Sequence, residues 1–360
     1  MKKAVFYCNI NDMKYHIITY GCQMNKSDSE RIATVLENIK YKLASDISDA
    51  DLIVVNMCSV RQSAVDRVYG LIPKFKKLQE KNPSLKTVLA GCILKKDRKK
   101  FREEFDSIWE IKNYLDASPK YQTNFRAFIP VSNGCNNFCT YCVVPFTRGP
   151  LVCRDHQEIL KEVKNLAQKR FKEIWLLGQN VNDYTSPTNS TVNFSRLLRM
   201  VNNIPGSFWI RFTSPNPKNF SGELIETMAE SEKVAKCLNL PVQSGDNKIL
   251  KKMRRSYTVE EYKNLVKKIR QKIPEINLST DVIVGFPSET KKQFQNTVKL
   301  FKEIKFNMAY IAKYSPRPGT AAFQMEDDVP LKEKKRREKI LREIIKKNIV
   351  DESLTHLNLQ

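Results

Sequence analysis

Cys135-Asn-Asn-Phe-Cys139-Thr-Tyr-Cys142 sets three cysteines at CxxxCxxC spacing on one short loop of this 360-residue chain. Three thiolates on so short a loop can face one point, which suits an iron–sulfur cluster. A 4Fe–4S cube held by three cysteines keeps one iron open, so the loop predicts a reactive site. A closed zinc site would need a fourth ligand close by. His156 is the nearest histidine and has no companion ligand, so zinc or a disulfide is the lesser alternative.

Strand-like runs alternate with helical stretches on both sides of this loop. A βαβα order with one parallel sheet predicts an α/β barrel or part of one. Six units are too few for a closed eight-stranded barrel. We therefore expect a partial (βα)6 barrel with its active site at the carboxyl ends of the strands. The six runs lie near 125–131, 173–178, 208–213, 236–242, 278–284 and 307–314.

Glycines, amides and a hydroxyl follow three of these runs. Glycine lets the backbone approach a ligand, and amides and hydroxyls can bond a nucleoside. Taken alone, each of these segments is also typical of an ordinary turn after a strand. Together they predict a ligand-binding rim. Its candidate residues are Gly178, Gln179 and Asn180 after the second run, Gln243 and Ser244 after the fourth, and Gly285 after the fifth.

Three βα units occupy the first 118 residues, and each has a cysteine just after its strand. Strands joined by such crossovers run parallel, so their carboxyl ends share one edge of the sheet. We predict that the three cysteines converge there and hold a second iron–sulfur cluster. The alternative is that each is a buried small hydrophobic side chain. The pairs are strand 15–20 with Cys22, strand 51–56 with Cys58, and strand 86–90 with Cys92.

Local signals divide the chain further. Ser27 and Glu30 predict a capping box at the start of the first helix, near Ser27. Pro119 interrupts the pattern, and Ser118–Thr123 is typical of a linker. We therefore predict an α/β domain over residues 1–118, a barrel over 119–350 and a tail over 351–360. Cys8, Cys153 and Cys237 fall outside the motifs and are expected to be structural, and His16 to be a packed side chain.

The composition points to a polyanionic partner. Lys and Arg number 62 against 39 Asp and Glu, a net charge of +23. Such an excess favours nucleic-acid binding, although a lysine-rich proteome would also produce it. No apolar run reaches the 18 residues of a membrane span, and the N-terminus does not resemble a signal peptide. We expect a cytoplasmic protein, or an organelle-matrix protein if a targeting segment was removed, with reduced cysteines.

The CxxxCxxC loop followed by strand–helix alternation resembles the radical S-adenosylmethionine (SAM) enzymes. Phe138 and Tyr141 fit that family, in which an aromatic residue usually precedes the third cysteine. The resemblance implies that Cys135, Cys139 and Cys142 hold a 4Fe–4S cluster and act catalytically. It implies that the open iron binds SAM and that an electron from the cluster cleaves SAM to a 5′-deoxyadenosyl radical. The partial (βα)6 barrel resembles the fold of that family.

The N-terminal motifs resemble, more specifically, the methylthiotransferases. These motifs are Thr19-Tyr-Gly-Cys22-Gln-Met-Asn25, Asn56-Met-Cys58-Ser-Val-Arg61 and Ala90-Gly-Cys92. Gln23-Met24 favours the branch that acts on isopentenyladenosine in tRNA. The residues Ile93-Leu94-Lys95 depart from that family's usual sequence after the third cysteine, without affecting the predicted ligand.

Barrel motifs extend the resemblance to the methylthiotransferases. Met253, Arg255, Tyr257 and Tyr314–Thr320 match them, and the match implies that Arg255 contributes to cofactor binding. Asn216 stands where His is common, and Ser288 where Gly is common.

The resemblance implies an enzyme that methylthiolates carbon 2 of N6-isopentenyladenosine at position 37 of tRNA, next to the anticodon. Its cofactors would be two 4Fe–4S clusters and SAM. Alternative substrates are threonylcarbamoyladenosine in tRNA and a ribosomal protein. A rival from another class is a non-catalytic, metal-containing RNA-binding protein. Implied partners are tRNA and an electron donor such as flavodoxin or ferredoxin; the sulfur donor is not evident, and we expect a monomer.

Members of this family continue into a small RNA-binding barrel, the TRAM domain, for which residues 351–360 leave no room. Either the chain is truncated or it binds RNA through basic surfaces. Lys248–Lys272 has ten basic and two acidic residues, and Lys332–Lys347 has nine basic and three acidic residues. The second segment predicts an amphipathic helix with Ile340, Leu341, Ile344 and Ile345 on its apolar side.

Overall fold

The computed structural model describes residues 13–121 and 123–357. Its internal contacts divide the chain into two units. The first runs through Asn124 and also contains Phe146–Arg148; the second comprises Phe125–Pro145 and the chain from Gly149 onward. The contact boundary thus lies after 124 rather than after 118, because Lys120 still bonds to helix residue Glu30 through its backbone N–H (3.0 Å). Cys8 lies outside the described residues.

Within residues 13–121, the first unit is a parallel sheet flanked by helices. The strands are β1 (Lys14–Tyr20), β2 (Lys42–Leu43), β3 (Leu52–Cys58), β4 (Lys86–Cys92) and β5 (Ser107–Ile108), and the helices are α1 (Gln23–Asn38), α2 (Gln62–Lys81) and α3 (Lys95–Phe101). The strand order is β2-β1-β3-β4-β5, and all pairs are parallel.

This sheet is covered on both faces, which explains why its central strand is apolar throughout. All seven residues of β3 are buried, as expected for a strand of a covered parallel sheet. One face packs Ile53 and Val55 against Val68 and Phe75 of α2. The other face packs Val54 with helix α1. The structure confirms the predicted three-layer α/β domain.

The first helix begins earlier than its sequence predicts. It starts at Gln23, with Cys22 as N-cap and a capping box formed with Asn25. The predicted start near Ser27 is therefore wrong. Ser27 is instead fully buried inside the helix, where its side chain packs. The corrected start makes Cys22 the residue that precedes the first turn of α1, and burial raises the pKa of its thiol.

The second unit, described from residue 125 to 357 apart from 146–148, contains six parallel strands, a short hairpin and the remaining helices. The strands are β6 (Arg126–Pro130), β7 (Ser132–Asn133), β8 (Val152–Cys153), β9 (Glu173–Leu177), β10 (Trp209–Phe212), β11 (Cys237–Asn239), β12 (Asn277–Val284) and β13 (Met308–Lys313). The helices are α4 (Val144–Thr147), which ends in the first unit, α5 (His156–Gln168), α6 (Phe194–Asn202), α7 (Gly222–Glu230), α8 (Asn247–Lys252), α9 (Val259–Lys272), α10 (Lys291–Ile304) and α11 (Leu331–Leu357).

The six parallel strands form the predicted open barrel. They pair as β6-β9-β10 and as β11-β12-β13, and an isolated parallel bridge pairs Ile210 of β10 with Val234, which lies just before β11. Among the described strands, β6 and β13 stand at opposite ends of this order. The structure therefore confirms a partial (βα)6 barrel. Side-chain caps start its helices, for example Thr258 with Glu261 at α9 and Thr290 with Gln293 at α10.

The hairpin β7–β8 brackets the CxxxCxxC loop. Ser132 pairs with Cys153 and Asn133 with Val152 in antiparallel register. The two strands are only two residues long, which is too short for an alternating apolar pattern to reveal them. The hairpin fixes both ends of the segment between residues 134 and 151, within which the three cysteines lie.

The last helix, α11, extends to Leu357, so the predicted tail at 351–360 begins inside a helix. Its apolar side packs as expected, with Leu341 and Ile345 buried. Two of its cations are also buried: Arg337 bonds Glu289 at 2.6 Å and Lys334 bonds Asp327 at 2.5 Å. Among the described helices, none is both long and apolar enough to cross a membrane.

Candidate functional site

The three cysteines of the first unit lie at one edge of its sheet. Cys58 and Cys92 end β3 and β4 and are partners in the parallel register. Cys22 follows β1, which pairs with the other side of β3. Cys58 and Cys92 are buried, whereas Cys22 is exposed. The structure thus brings together the three cysteines that the sequence predicted to converge.

The Cys58 and Cys92 thiols interact directly. A hydrogen bond with Cys58, together with burial, raises the pKa of Cys92. The hydrogen bond with Cys92 lowers the pKa of Cys58. Because both sulfurs are buried, thiolates at this position need a cation to compensate their charge.

Buried amides hold the edge of the sheet beside these cysteines. Asn25 Nδ2 donates to Asn56 Oδ1 at 2.9 Å and to the Met57 carbonyl at 3.2 Å. Asn56 Nδ2 returns a bond to the Asn25 carbonyl at 2.7 Å and another to Ser29 Oγ at 2.9 Å. Asn25 Oδ1 also accepts from the Cys22 backbone N–H at 3.3 Å. This reciprocal network ties the start of α1 to β3 and fixes where Cys22 lies.

Gly91 lies against this network in a backbone conformation that favours glycine. Its φ is +100°, and an added Cβ would lie 2.3 Å from the Met57 carbonyl oxygen and 2.4 Å from Asn56 Oδ1. Both contacts are far below a van der Waals separation. The residue before Cys92 must therefore be glycine for the edge to pack as it does.

We expect Gly91→Ala to destabilise the protein by about 1–3 kcal/mol, because it adds strain at positive φ to a backbone clash. Urea unfolding of the anaerobic protein measures this. Gly70→Ala in α2 is the matched control, since Gly70 has nothing within 4 Å of an added Cβ and alanine is the better helix former. Equal stability of the Gly91→Ala variant and the wild type would contradict the packing described here.

Arg148 reaches the Cys92 sulfur from within the first unit. Its Nε lies 2.9 Å from Cys92 Sγ, and its Nη2 lies 2.5 Å from Asp28 Oδ2. The side chains of Arg148 and Asp28 are only 2% and 0% exposed. Sequence reasoning missed this cation, because it lies 56 residues from Cys92 and no local pattern links them.

The CxxxCxxC loop is pinned by backbone bonds within the second unit. Cys135 N–H donates to the Gly149 carbonyl at 3.2 Å, and Cys142 N–H donates to that of Cys139 at 3.0 Å. The Thr140 hydroxyl donates to the Lys252 carbonyl at 2.8 Å. Tyr141 packs on an apolar cluster. The sequence-predicted cysteines 135, 139 and 142 therefore lie on one loop that hydrogen bonds hold in place.

The surroundings of these thiols suit ligation to a cationic group. Burial raises the pKa of Cys142 to about 12 and also raises that of Cys135, so both thiols hold their protons unless positive charge is supplied. Arg255 supplies some of it, since its Nη1 lies 3.4 Å from Cys139 Sγ. Its Nη2 lies 3.3 Å from Asn216 Oδ1, and its guanidinium stacks on Tyr257. Asn216, where His is common, thus positions this arginine.

Two of the predicted rim residues, Gln179 and Asn180, differ in their hydrogen bonding. Gln179 bonds to the start of the CxxxCxxC loop, and one oxygen of Asn180 has no partner among the described residues. Gln179 Oε1 accepts from the Gly134 backbone N–H at 2.5 Å. Asn180 is 2% exposed, and its Oδ1 has no hydrogen-bond partner among the described residues. Ser132 Oγ is also buried without one, and it lies beside Gly178. Buried orphan polar atoms are expected where a polar ligand completes the hydrogen bonding.

The other rim residues have packing roles in the structure. Gln243 continues the sheet through its backbone, which bonds Asp281 and Ile283. Ser244 is fully buried, and its hydroxyl accepts from the Asp246 N–H at 3.3 Å. Gly285 packs against Lys334, whose Cγ would lie 2.4 Å from an added Cβ. Their assignment to a ligand stays a prediction.

Neither group of three cysteines in the described residues is arranged as a site for a single metal ion. Among the described residues, no three His, Cys, Asp or Glu side chains are arranged around one ion position. Three cysteines of a 4Fe–4S cube bind three different irons, so their sulfurs need not meet at one point. Each unit provides one such group of three free cysteines, with a cation beside one sulfur.

Four other described residues, Cys153, Cys237, His156 and His16, lie outside the two groups of three cysteines. Cys237 Sγ accepts from Arg211 Nη1 at 2.5 Å, and Cys153 lies in the hairpin strand β8. His156 Nδ1 lies 2.9 Å from Ser186 Oγ and is buried. His16 is half-buried, and burial lowers its pKa. In the described part of the chain, all eight cysteines are free.

Two family models match the chain. The Radical SAM superfamily matches residues 129–301, and the Uncharacterized protein family UPF0004 matches residues 14–110. These ranges correspond to the barrel and to the N-terminal α/β unit.

Curated relatives match nearly the whole chain. A tRNA-2-methylthio-N(6)-dimethylallyladenosine synthase of Clostridium novyi is 41% identical over 355 residues, covering 89% of this chain and 78% of the relative. Proteins of the same name from Carboxydothermus hydrogenoformans and Dictyoglomus thermophilum are 38% and 39% identical, with 82% and 85% of those relatives covered.

Solved structures share the fold. The radical S-adenosylmethionine methyltransferase TsrM from Kitasatospora setae superposes with a TM-score of 0.62 at 14% identity, covering 87% of this chain and 77% of that one. The cobalamin-dependent S-adenosylmethionine radical enzyme OxsB gives a TM-score of 0.57 at 11% identity, covering 94% and 56%.

Proposed function

Because this chain belongs to the family of tRNA-2-methylthio-N(6)-dimethylallyladenosine synthases, we propose that it adds a methylthio group to carbon 2 of N6-isopentenyladenosine at position 37 of tRNA. The observation that supports this most is the presence of two separate groups of three free cysteines, one in each unit. An aromatic C–H is inert to acid–base chemistry, so the reaction needs cofactors.

Cys135, Cys139 and Cys142 would hold one 4Fe–4S cluster, and Cys22, Cys58 and Cys92 a second, called here the auxiliary cluster. When bound, the two clusters and SAM supply the electron, the radical, the sulfur and the methyl group. The chain's own contribution is to place them. The pinned loop and Arg255 orient the first set of thiolates, and the orphan atoms of Asn180 and Ser132 are candidates to bond SAM.

The proposed ligands of the first cluster are partly shielded from water. Cys135 is buried, whereas Cys139 and Cys142 are half-buried, and Tyr141 packs on Met253, Phe286 and Tyr314. The substrate base would have to leave its stack to reach the carboxyl ends of the barrel strands, as bases of single-stranded loops can.

Mass analysis of tRNA nucleosides tests this function. A strain lacking the gene should accumulate N6-isopentenyladenosine and lose its 2-methylthio derivative, while methylthiolated threonylcarbamoyladenosine stays unchanged. The wild-type gene should restore the product. If methylthiolated threonylcarbamoyladenosine is lost instead, the substrate of the enzyme is threonylcarbamoyladenosine. Unchanged nucleosides of both kinds would refute a role in tRNA methylthiolation.

The partners follow from this activity. The reaction requires tRNA and a one-electron donor, for which flavodoxin or ferredoxin is the expected class. We propose that the enzyme works in the cytoplasm, where tRNA is modified, and as a monomer.

Two basic surfaces are the candidate tRNA contacts. In α8 and α9, Lys248 and Lys263 line a cavity of about 580 Å³ together with Lys292 and Lys299 of α10, although Asp246 and Glu260 also line it. In α11 the buried Lys334 and Arg337 are engaged in ion pairs, so only exposed residues such as Lys335, Lys346 and Lys347 can meet phosphates.

Changing Lys335, Lys346 and Lys347 to glutamine should weaken tRNA binding and flatten its salt dependence. Each lost phosphate contact should reduce the slope of log affinity against log salt by roughly 0.7–0.9. Binding across a salt series measures it, and SAM cleavage should be retained. Lys161, Lys164 and Lys169 of and after α5 are matched exposed controls. If both triple variants keep the wild-type slope, α11 does not contact the phosphates.

A further inference from the structure

Arg148 occupies an unusual place in the chain. It lies six residues after Cys142, yet Phe146–Arg148 belongs to the first unit while the residues on either side belong to the second. Its guanidinium is almost fully buried and contacts both Cys92 Sγ, at 2.9 Å, and Asp28 Oδ2, at 2.5 Å. Burying a guanidinium raises the free energy of the folded protein unless ionic and hydrogen-bonding partners compensate for the lost hydration.

The guanidinium of Arg148 does not make a two-pronged contact with Asp28. Arginine and carboxylate frequently bond through two parallel N–H···O contacts, which use both oxygens. Here Nη2 bonds one oxygen of Asp28, whereas Asp28 Oδ1 is buried with no hydrogen-bond partner among the described residues. The Nε–H is directed at the sulfur instead. The guanidinium is therefore shared between a carboxylate that anchors it and a cysteine sulfur.

We propose that Arg148 is a positioning residue for the auxiliary cluster, holding the Cys92 thiolate by a charge-assisted hydrogen bond while Asp28 anchors the guanidinium. This inference rests on the proposed assignment of Cys92 as a cluster ligand. A hydrogen bond to a ligand sulfur stabilises the more negative, reduced state of an iron–sulfur cluster and so raises its potential. Partners that orient ligands also typically contribute 10–100-fold to metal affinity.

The test uses full-length protein in which Cys135, Cys139 and Cys142 are alanine, so that only the auxiliary cluster remains. Two variants are made in that background. Arg148→Gln with Asp28→Asn removes both charges together and leaves neither buried alone. Arg148→Lys keeps the ion pair with Asp28. Its ammonium group lacks the planar, fixed donors of the guanidinium and so cannot bond the carboxylate and the sulfur at the same time in the same way. The measurements are the rate of iron release to a chelator and the midpoint potential from electron paramagnetic resonance.

We expect both variants to release iron about tenfold faster and to have a more negative midpoint potential than the background protein. Arg337→Gln with Glu289→Gln is the matched control, because that buried pair, 2.6 Å apart, belongs to the second unit. The control should change neither quantity. Circular dichroism of each variant checks that it folds. If the double variant does not fold, the Arg148→Lys variant alone tests the proposal.

Two results would overturn the inference in distinguishable ways. If the cluster forms in folded variants with unchanged release rate and potential, Arg148 is only part of a structural ion pair, while the proposed function stands. If the background protein holds no cluster, the assignment of Cys22, Cys58 and Cys92 is wrong, and the role of Arg148 is refuted with it.

Discussion

Replacing Cys135, Cys139 and Cys142 with alanine should halve the iron content of the anaerobic protein and reduce SAM cleavage to background. The three cysteines lie on one pinned loop of the barrel, and no other described group of three thiols lies in that unit. The auxiliary cluster should persist, because its cysteines belong to the first unit. Iron analysis and the yield of 5′-deoxyadenosine with a chemical reductant measure the two effects.

The control for this experiment is the double change Cys153→Ala with Cys237→Ala. Both residues are in the barrel unit but outside the loop, so this variant should keep its full iron content and cleave SAM. A loop variant that retained all its iron would show that the ligands of the first cluster lie elsewhere.

Replacing Cys22, Cys58 and Cys92 with alanine should separate the two halves of the reaction. SAM cleavage should continue, since the barrel cysteines are intact, but methylthiolated product should fall below detection because the auxiliary cluster is the proposed sulfur-bearing group. Cleavage of SAM and the mass of the tRNA nucleosides are measured in one reaction. The substitution also removes packing at the buried Cys58 and Cys92, so a serine variant that keeps the side-chain volume is the parallel control.

Normal methylthiolation by the variant that lacks Cys22, Cys58 and Cys92 would show that these cysteines do not hold a cluster. They would then be buried small hydrophobic side chains, the alternative that the sequence also allows. Loss of both activities in a folded variant would show that the first unit also controls SAM cleavage, which the present assignment does not include.

The repeated strand–helix units of this fold could be predicted from the sequence. The apolar run in β3 and the cysteine after each strand give strong local signals, and parallel strands necessarily bring their carboxyl ends to one edge. The two-residue strands β2, β5, β7 and β8 were missed because such short segments have no periodicity. The start of α1 was misplaced because Asn25, rather than Glu30, completes the capping box with Cys22.

The parts of the site that sequence reasoning missed depend on distant contacts. Arg148 meets Asp28 across 120 residues and Cys92 across 56, so no spacing rule links them. The orphan oxygen of Asn180 is visible only once burial is known. Gly285 packs closely against Lys334, and the ligand predicted there from a glycine after a strand stays a prediction.

The proposed function is tested most directly in a single anaerobic reaction of the reconstituted enzyme with SAM, reductant and two tRNAs, followed by mass analysis of the nucleosides. One tRNA carries N6-isopentenyladenosine at position 37, and the other carries threonylcarbamoyladenosine. We expect that only the first tRNA gains a methylthio group, with SAM consumed. Methylthiolation of the second tRNA alone, or SAM cleavage with neither tRNA modified, would refute the proposed function.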